Sequence, residues 1–385
     1  MSEEIKKLWA ILDSRDAAVH GFMNEIFPSL VEKEKEILSL KRICDEREKI
    51  IFKQARINDE QQVIIDDLRK SMGPIGSTIF FMIRKFYRPA LKFLFPLIGA
   101  LRQHPPKPLG AQKIPRPAWA AKTGAPPTIS IVTPSYNQGR FIERTINSVL
   151  DQDYPALEYI VQDGGSDDGT PDIVRRYADR LKHWETAEDD GQAHAINAGF
   201  AHTTGEIMGY LNSDDMLLPG ALNYVGNYFA KRPDVDVIYG NRILIDEFDD
   251  EIGRWILPAH SNAVLSWADY VPQETLFWRR RIWEKAGGKI DESFQFAVDW
   301  DLILRFRDAG AKIVHLPHFI AAFRVHPRQK TSASMQDIGL PEIERLRERC
   351  LGRRPTHREI KKATLPYLLR HMVAHRLFRL REMFR

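Results

Sequence analysis

From Thr128 onward, short apolar runs alternate with amphipathic stretches, and most of the runs stop at a cluster of Asp, Asn, Ser or Gly. No other feature constrains the fold as tightly. Residues 128–133 (TISIVT), 157–162 (LEYIVQ), 183–188, 207–211 and 235–239 read as strands, and 140–150, 171–181, 192–201 and 220–231 as helices. Strands that alternate with helices build a mostly parallel sheet, because parallel neighbours need a crossover and the crossovers cover both faces. The expected class is therefore α/β. In such sheets ligands bind beyond the carboxyl ends of the strands, so the chemistry belongs in the loops that follow them.

Those loops are distinctive. The first is Pro134-Ser135-Tyr136-Asn137, and the second begins Asp163-Gly164-Gly165-Ser166-Asp167-Asp168. The third is Glu188-Asp189-Asp190-Gly191, and the fourth Asn212-Ser213-Asp214-Asp215. A single Asp-Gly loop is usually a solvated turn. Acidic clusters at successive strand ends repel one another and call for a cation or shifted pKa values. With no Cys or His among them, the donors are hard oxygens, suited to Mg²⁺ or Mn²⁺ shared with substrate phosphate. No G-x-G-x-x-G follows the first strand and no G-x-x-x-x-G-K-[ST] occurs anywhere, which argues against dinucleotide and P-loop chemistry. The only cysteines are Cys44 and Cys350, without a Cys/His cluster, so neither disulfides nor structural zinc hold the fold, and a reducing compartment is expected.

The segments ISIVTPSYNQGRFIERTINSVLDQDYPALEYIVQDGGSDDGT, EDDGQAHAINAGFAHTTGEIMGYLNSDD and AVDWDLILRFRDAG together resemble the family 2 glycosyltransferases, over about residues 128–335. The resemblance implies the A-type glycosyltransferase fold and a sugar-nucleotide donor of the UDP or dTDP type. It implies that Pro134, Tyr136, Asn137, Asp163, Asp190 and Asn197 line the nucleotide-sugar site. Asp163 would read the base, and Gly164 stands where the family often has a second Asp. Asn212 replaces the first Asp of the family's Asp-x-Asp-Asp site. Asp214 is kept as the expected diphosphate and metal ligand, with Asp215 and His326 as further metal candidates. Gln273, in PQETLFW, would face the acceptor, while Trp278 reads equally as core. Asp299 matches the catalytic base, although Asp is also a favoured helix cap; Asp301 reads as a helix-start acid. The Gln-x-x-Arg-Trp motif of processive members is absent from the C-terminal half, which argues against a polysaccharide synthase.

Net charge is strongly partitioned: −2 over residues 1–72, +9 over 73–127, −11 over 128–350 and +8 over 351–385. Residues 30–70 read as one helix in which Ile43, Ile50, Ile57 and Ile64 recur every seven residues, a coiled-coil seam weakened by Arg47, Gln54 and Gln61 in the companion row. Self-association through it is expected. Residues 73–103 are basic and apolar, 104–127 form a Pro-rich linker, and 351–385 form a basic amphipathic helical tail with a stripe of Leu369, Val373, Leu377, Leu380 and Phe384. Basic charge on apolar flanks rather than on the acidic body points to a membrane surface and away from nucleic acid. No apolar run is long enough for a transmembrane helix, and the acidic N-terminus does not read as a secretory signal. The sequence therefore predicts an inverting, metal-dependent glycosyltransferase, cytoplasmic and peripheral at the inner face of the cell membrane, acting on a lipid-linked or cell-envelope glycan. The rival is a catalytically silent scaffold of the same fold.

Overall fold

A computed structural model describes residues 101–110, 125–327, 329 and 335–383. The expected coiled-coil region, most of the basic apolar segment and the middle of the linker lie outside the described residues.

Strand β1 (Ile129–Ser135) is buried along its whole length and pairs in parallel with β2 (Leu157–Asp163) on one side and β4 (Ile207–Tyr210) on the other. β3 (His183–Thr186) adds in parallel to β2. Helices α1 (Ile142–Leu150), α2 (Thr170–Arg176) and α3 (Gln192–Ala201) make the crossovers. This half is the parallel sheet that the alternating pattern predicts. Beyond β4 the sheet becomes mixed. After the two-residue β5 (Met216–Leu217) and α4 (Ala221–Lys231) come β6 (Val237–Ile245), its hairpin partner β7 (Glu251–Trp255), the short α5 (Asn262–Leu265), β8 (Phe277–Arg279) and α6 (Arg280–Lys285). Helix α7 (Val298–Asp308) and the twelve-residue β9 (Ile313–Arg324) complete the sheet, whose order is β3-β2-β1-β4-β8-β6-β9-β5 with β7 beside β6. β8 lies antiparallel between β4 and β6, whereas β9 runs parallel to β6.

Side-chain alternation along the strands separates two cores. Ile129, Ile131, Tyr159, Val161, Ile207, Ile238 and Phe277 face the layer built with α1, α2 and α4. Val132, Ile160, Met208, Val237, Tyr239 and Trp278 face α3, α6 and α7. Trp278, undecided in the sequence, is fully buried core. Helix α3 lies so close to the sheet that a Cβ at Gly199 would come within 2.5 Å of Val132 Cγ1.

Two later helices pack on this body. α8 (Leu340–Leu351) follows a π-helical turn at Met335–Gly339 and buries Leu346 in the second core. α9 (His357–Met383) buries Tyr367, His371 and His375, and sets Phe378 edge-on to Phe319 with ring centroids 5.5 Å apart. The start of the Pro-rich segment is also ordered against the body. Gln103 and His104 donate backbone N–H bonds to the Ile252 carbonyl, and Lys107 and Glu251 exchange backbone bonds of 3.2 and 2.7 Å. The chain at 103–107 is thus an edge annex to β7, not a free spacer.

Replacing Gly199 by Ala would overpack the α3–β1 contact and is expected to lower unfolding free energy by about 1–3 kcal/mol. Urea denaturation of the two proteins checks this.

Candidate active site

The acidic loops follow β1, β2, β3 and β4 at the carboxyl edge of the sheet, and the first two are tied to each other by hydrogen bonds. Asn137 sits at φ 53°, a left-handed conformation that Asn tolerates better than most residues. Its N–H donates to Ser166 Oγ at 2.7 Å, and its Oδ1 accepts the Asp167 N–H at 3.1 Å. Gly139 N–H donates to Asp168 at 2.8 Å. Pro134, next to last in β1, lies in register with Gln162, and Tyr136 just beyond the strand is 63% exposed.

Asp163 is fully buried, and its two carboxylate oxygens accept the hydroxyl and the N–H of Ser166 at 2.6 and 3.0 Å. Flanking it in register are Ser135 on β1 and Thr186 on β3. Both hydroxyls are buried without a hydrogen-bond partner in the structure. Buried hydroxyls are normally satisfied, so this pair beside Asp163 marks a place where a polar ligand would complete the bonding. Neither residue was among the candidates read from the sequence, since a lone hydroxyl at a strand end carries no signal of its own. Gly164 also acquires a reason: a Cβ there would stand 3.0 Å from both Asp189 carboxylate oxygens. The acid missing from position 164 is matched by one arriving from the third loop, held by the Gly191 N–H at 2.8 Å. Asp190 beside it is exposed.

Asn197 departs from expectation. Its Nδ2 donates to the Ile290 carbonyl and to Glu292, and its Oδ1 accepts the Ile290 N–H. The amide staples α3 to the turn at 290–292.

At the fourth strand end, Asn212 accepts from Gln192 Nε2 at 2.6 Å and donates to Gln273 Oε1 at 3.1 Å. Gln273 in turn donates to the Tyr210 carbonyl at 2.8 Å. An amide at 212 serves as donor and acceptor at once, which an ionised Asp cannot do. Gln273 is buried and bonded to the floor of the site, where it orients Asn212. Thr145 Oγ1 reaches from α1 to the carbonyls of Ser213 and Asp215, both at 2.8 Å, and holds the turn from below.

Asp214 faces the cleft edge and pairs with His326 Nε2 at 2.9 Å. His326 is buried, its ring 4.8 Å from that of Phe141. Asp215 is different. It is 1% exposed, its Oδ1 accepts the Arg324 N–H at 2.9 Å, and burial followed by the nearby Asp214 and Glu274 charges raises its pKa well above the carboxylate range. Asp215 is thus sunk into the fold and bonded to backbone, whereas Asp214 is the more open of the two acids. Among the described residues no three His, Cys, Asp or Glu side chains form a metal-holding group. The donor set that fits a hard divalent ion is therefore Asp214 with His326, the remaining positions falling to water and diphosphate oxygens, as Mg²⁺ and Mn²⁺ sites commonly use.

Asp299 stands in the first turn of α7, half-buried, with Oδ1 accepting the Trp300 N–H at 2.9 Å. Burial raises its pKa to about 6, against the lowering effect of that N–H and of Arg242, with Glu274 pushing upward. The charge of Glu274 pushes both Asp215 and Asp299 toward the neutral form. Arg242 pins Glu274 through two bonds of 2.7 and 2.6 Å. Asp301 is not an exposed helix-start acid: it is fully buried between Arg305 and Arg349.

What positions Asp299 was invisible in its own segment. Glu342, on α8, accepts the N–H groups of Gln295, Phe296 and Ala297 at 2.8, 2.9 and 2.8 Å, immediately before α7. Arg345 bonds Ser293 Oγ at 2.7 Å and lies 3.7 Å from the Phe294 ring centre. Thus α8 clamps the strap that leads into α7 and Asp299.

Residues 130–309 match the model of the Glycosyl transferase family 2. An uncharacterized glycosyltransferase of Nostoc sp. is 30% identical over 212 residues, which cover 51% of this chain and 65% of that protein. The O-antigen biosynthesis protein RfbC of Myxococcus xanthus is 28% identical over 281 residues, 68% of this chain and 21% of that protein. The chain therefore spans less than two thirds of either relative. Among solved structures, S. aureus TarS 1–349 in complex with UDP-GlcNAc superimposes with a TM-score of 0.49 at 18% identity, over 64% of this chain and 73% of that one. The clamp helix α8 lies outside the family match.

Glu342→Ala would leave three N–H groups ahead of α7 without acceptors. Turnover is expected to fall by about one to two orders of magnitude, the scale of a small misplacement of a catalytic group, with donor KM nearly unchanged. Glu342→Gln, which keeps an acceptor oxygen, should recover much of the loss. Steady-state kinetics of both variants test this.

Proposed function

We propose that the family 2 glycosyltransferase domain over residues 130–309 transfers a sugar, with inversion, from a nucleotide donor to a hydroxyl of a lipid-linked or cell-envelope glycan. The observation that carries this reading is the pairing of a donor edge with a separate, half-buried carboxylate, Asp299, whose pKa lies near working pH. Asp163, with the open hydroxyls of Ser135 and Thr186, supplies the polar surface for a base of the UDP or dTDP type. Asp214 and His326 hold the diphosphate side. A bound Mg²⁺ or Mn²⁺ there would neutralise the charge that develops on the departing diphosphate.

Asp299 takes the proton of the acceptor hydroxyl as that oxygen attacks the anomeric carbon. The new glycosidic bond forms on the face opposite the breaking bond to phosphate oxygen. The nucleoside diphosphate leaves with the electron pair, and the proton remains on Asp299 until solvent removes it. The raised pKa makes Asp299 a stronger base than an ordinary carboxylate while leaving it mostly ionised at neutral pH.

The acceptor class rests on the charge pattern of the flanks and on the naming of RfbC for O-antigen biosynthesis. The same pattern favours a peripheral position at the inner face of the cell membrane. Among the described residues no helix is long and apolar enough to cross a membrane.

Asp299→Asn is expected to lower kcat by at least about 10²-fold, the usual worth of a general base, with little change in donor affinity. Because the base must be ionised, kcat/KM of the wild type should fall about tenfold per unit as pH drops below about 6. A flat acid limb would reassign the base. Activity with a panel of nucleotide sugars should be lost in excess EDTA, restored by Mn²⁺, and abolished by Asp214→Asn with the fold intact by circular dichroism. Full activity in EDTA would remove the metal from the proposal.

A further inference from the structure

Helix α9 is apolar on two opposite sides, and only one of them is used by the fold. Tyr367, His371, Ala374, His375 and Phe378 pack on the body. Half a turn around, Leu365, Leu369, Val373, Leu377 and Leu380 are each between 41% and 55% exposed. At 3.6 residues per turn they form one continuous outward ridge about 22 Å long. Leu369, Val373, Leu377 and Leu380 belong to the stripe that an amphipathic reading of the sequence assigns to this helix. The structure shows that the stripe is not the packing face.

Cations border the ridge along its length. Lys361, Lys362, Arg370 and Arg379 are exposed. The acids of α9 are only Glu359 and Glu382. Glu359 is bonded to Arg353, and Glu382 lies 3.8 Å from Arg254.

We propose that this outward face of α9 docks on an anionic lipid surface. The membrane position stated above gives the context, and this assignment names the surface that achieves it. A planar apolar ridge edged by cations matches the interface of an acidic bilayer, with Leu and Val entering the acyl boundary and Lys and Arg at the phosphates. A second copy is the poorer occupant, because pairing two such ridges sets cation against cation. The docked geometry also fixes the body, since the opposite face of α9 is packed into the sheet. The glycosyltransferase domain is thereby held at one orientation to the lipid.

The test is co-sedimentation of the full chain with vesicles of phosphatidylglycerol and phosphatidylcholine, compared with phosphatidylcholine alone, across a salt series. Wild type should bind the anionic vesicles, and binding should weaken without vanishing as salt rises. The triple variant Leu369→Ser, Val373→Ser, Leu377→Ser should lose at least about tenfold in affinity at every salt concentration. Lys361→Gln, Lys362→Gln, Arg379→Gln should weaken binding at low salt and converge on wild type at high salt. Thermal unfolding and the stabilisation given by UDP should stay as in wild type for both, which separates failure here from failure of the donor-site reading. Undiminished vesicle binding by the Ser variant overturns the proposal. So does a wild type that ignores the vesicles and sediments as a dimer that the Ser variant dissolves, which would assign the ridge to a second copy.

Discussion

The buried guanidinium of Arg324 is the interaction on which the rest of the site depends. At the end of β9 it is fully buried, with its plane 4.9 Å from the centre of the Phe141 ring. Its Nε donates to the Asp214 carbonyl, one terminal nitrogen donates to the Asp246 carbonyl, and it is ion-paired with Asp249. Its own N–H is the donor to Asp215. A charge taken out of water at this depth is tolerated only when its hydrogen-bonding capacity is met. The site meets it by gathering three separate chain segments around one side chain. The Asp214 carboxylate pairs with His326 and that of Asp215 is buried. Two adjacent acids, alike in sequence, thus receive opposite surroundings.

The strand-end loops follow a related economy of polar groups. The polar groups at the carboxyl edge are bonded largely to one another: Asn137 to Ser166 and Asp167, Asn212 to Gln192 and Gln273, Asp163 to Ser166. Such a network is rigid because each member would lose its partner if another moved. Against that background, the open hydroxyls of Ser135 and Thr186 stand out as unfinished bonds. Preorganised polar groups of this kind lower the reorganisation needed when a charged ligand or transition state arrives.

Helices after the sheet extend this logic beyond the catalytic body. α8 does its work through backbone groups, supplying a carboxylate to three N–H donors ahead of α7. α9 does its work through surface, with one face in the core and one facing out. Both follow the residues that match the family model.

How much of this the residues alone decide depends on sequence distance. Strand and helix periods, the acidic strand ends and the placement of Asp214 and Asp299 at loop and helix starts are local properties, and they were legible at 128–133, 157–162 and 192–201. The parallel half of the sheet followed from them. The antiparallel insertion of β8 did not, because three residues carry no signal of their partners. Nor did the tasks of Asn197, Asp215 and Gln273, since each is set by partners that pattern cannot reach: Asn197 meets Ile290, Asp215 meets Arg324, and Gln273 meets Asn212. The amphipathic stripe of α9 was visible, yet which side faces solvent was not, for the helix has two apolar sides and only the body selects one. The sequence by itself determined which residues could carry the chemistry. Only the tertiary structure decided how each of them is held, because a buried polar group takes its surroundings from the partner that satisfies it, and for Gln273, Asn197 and Asp215 that partner lies 61, 93 and 109 residues away.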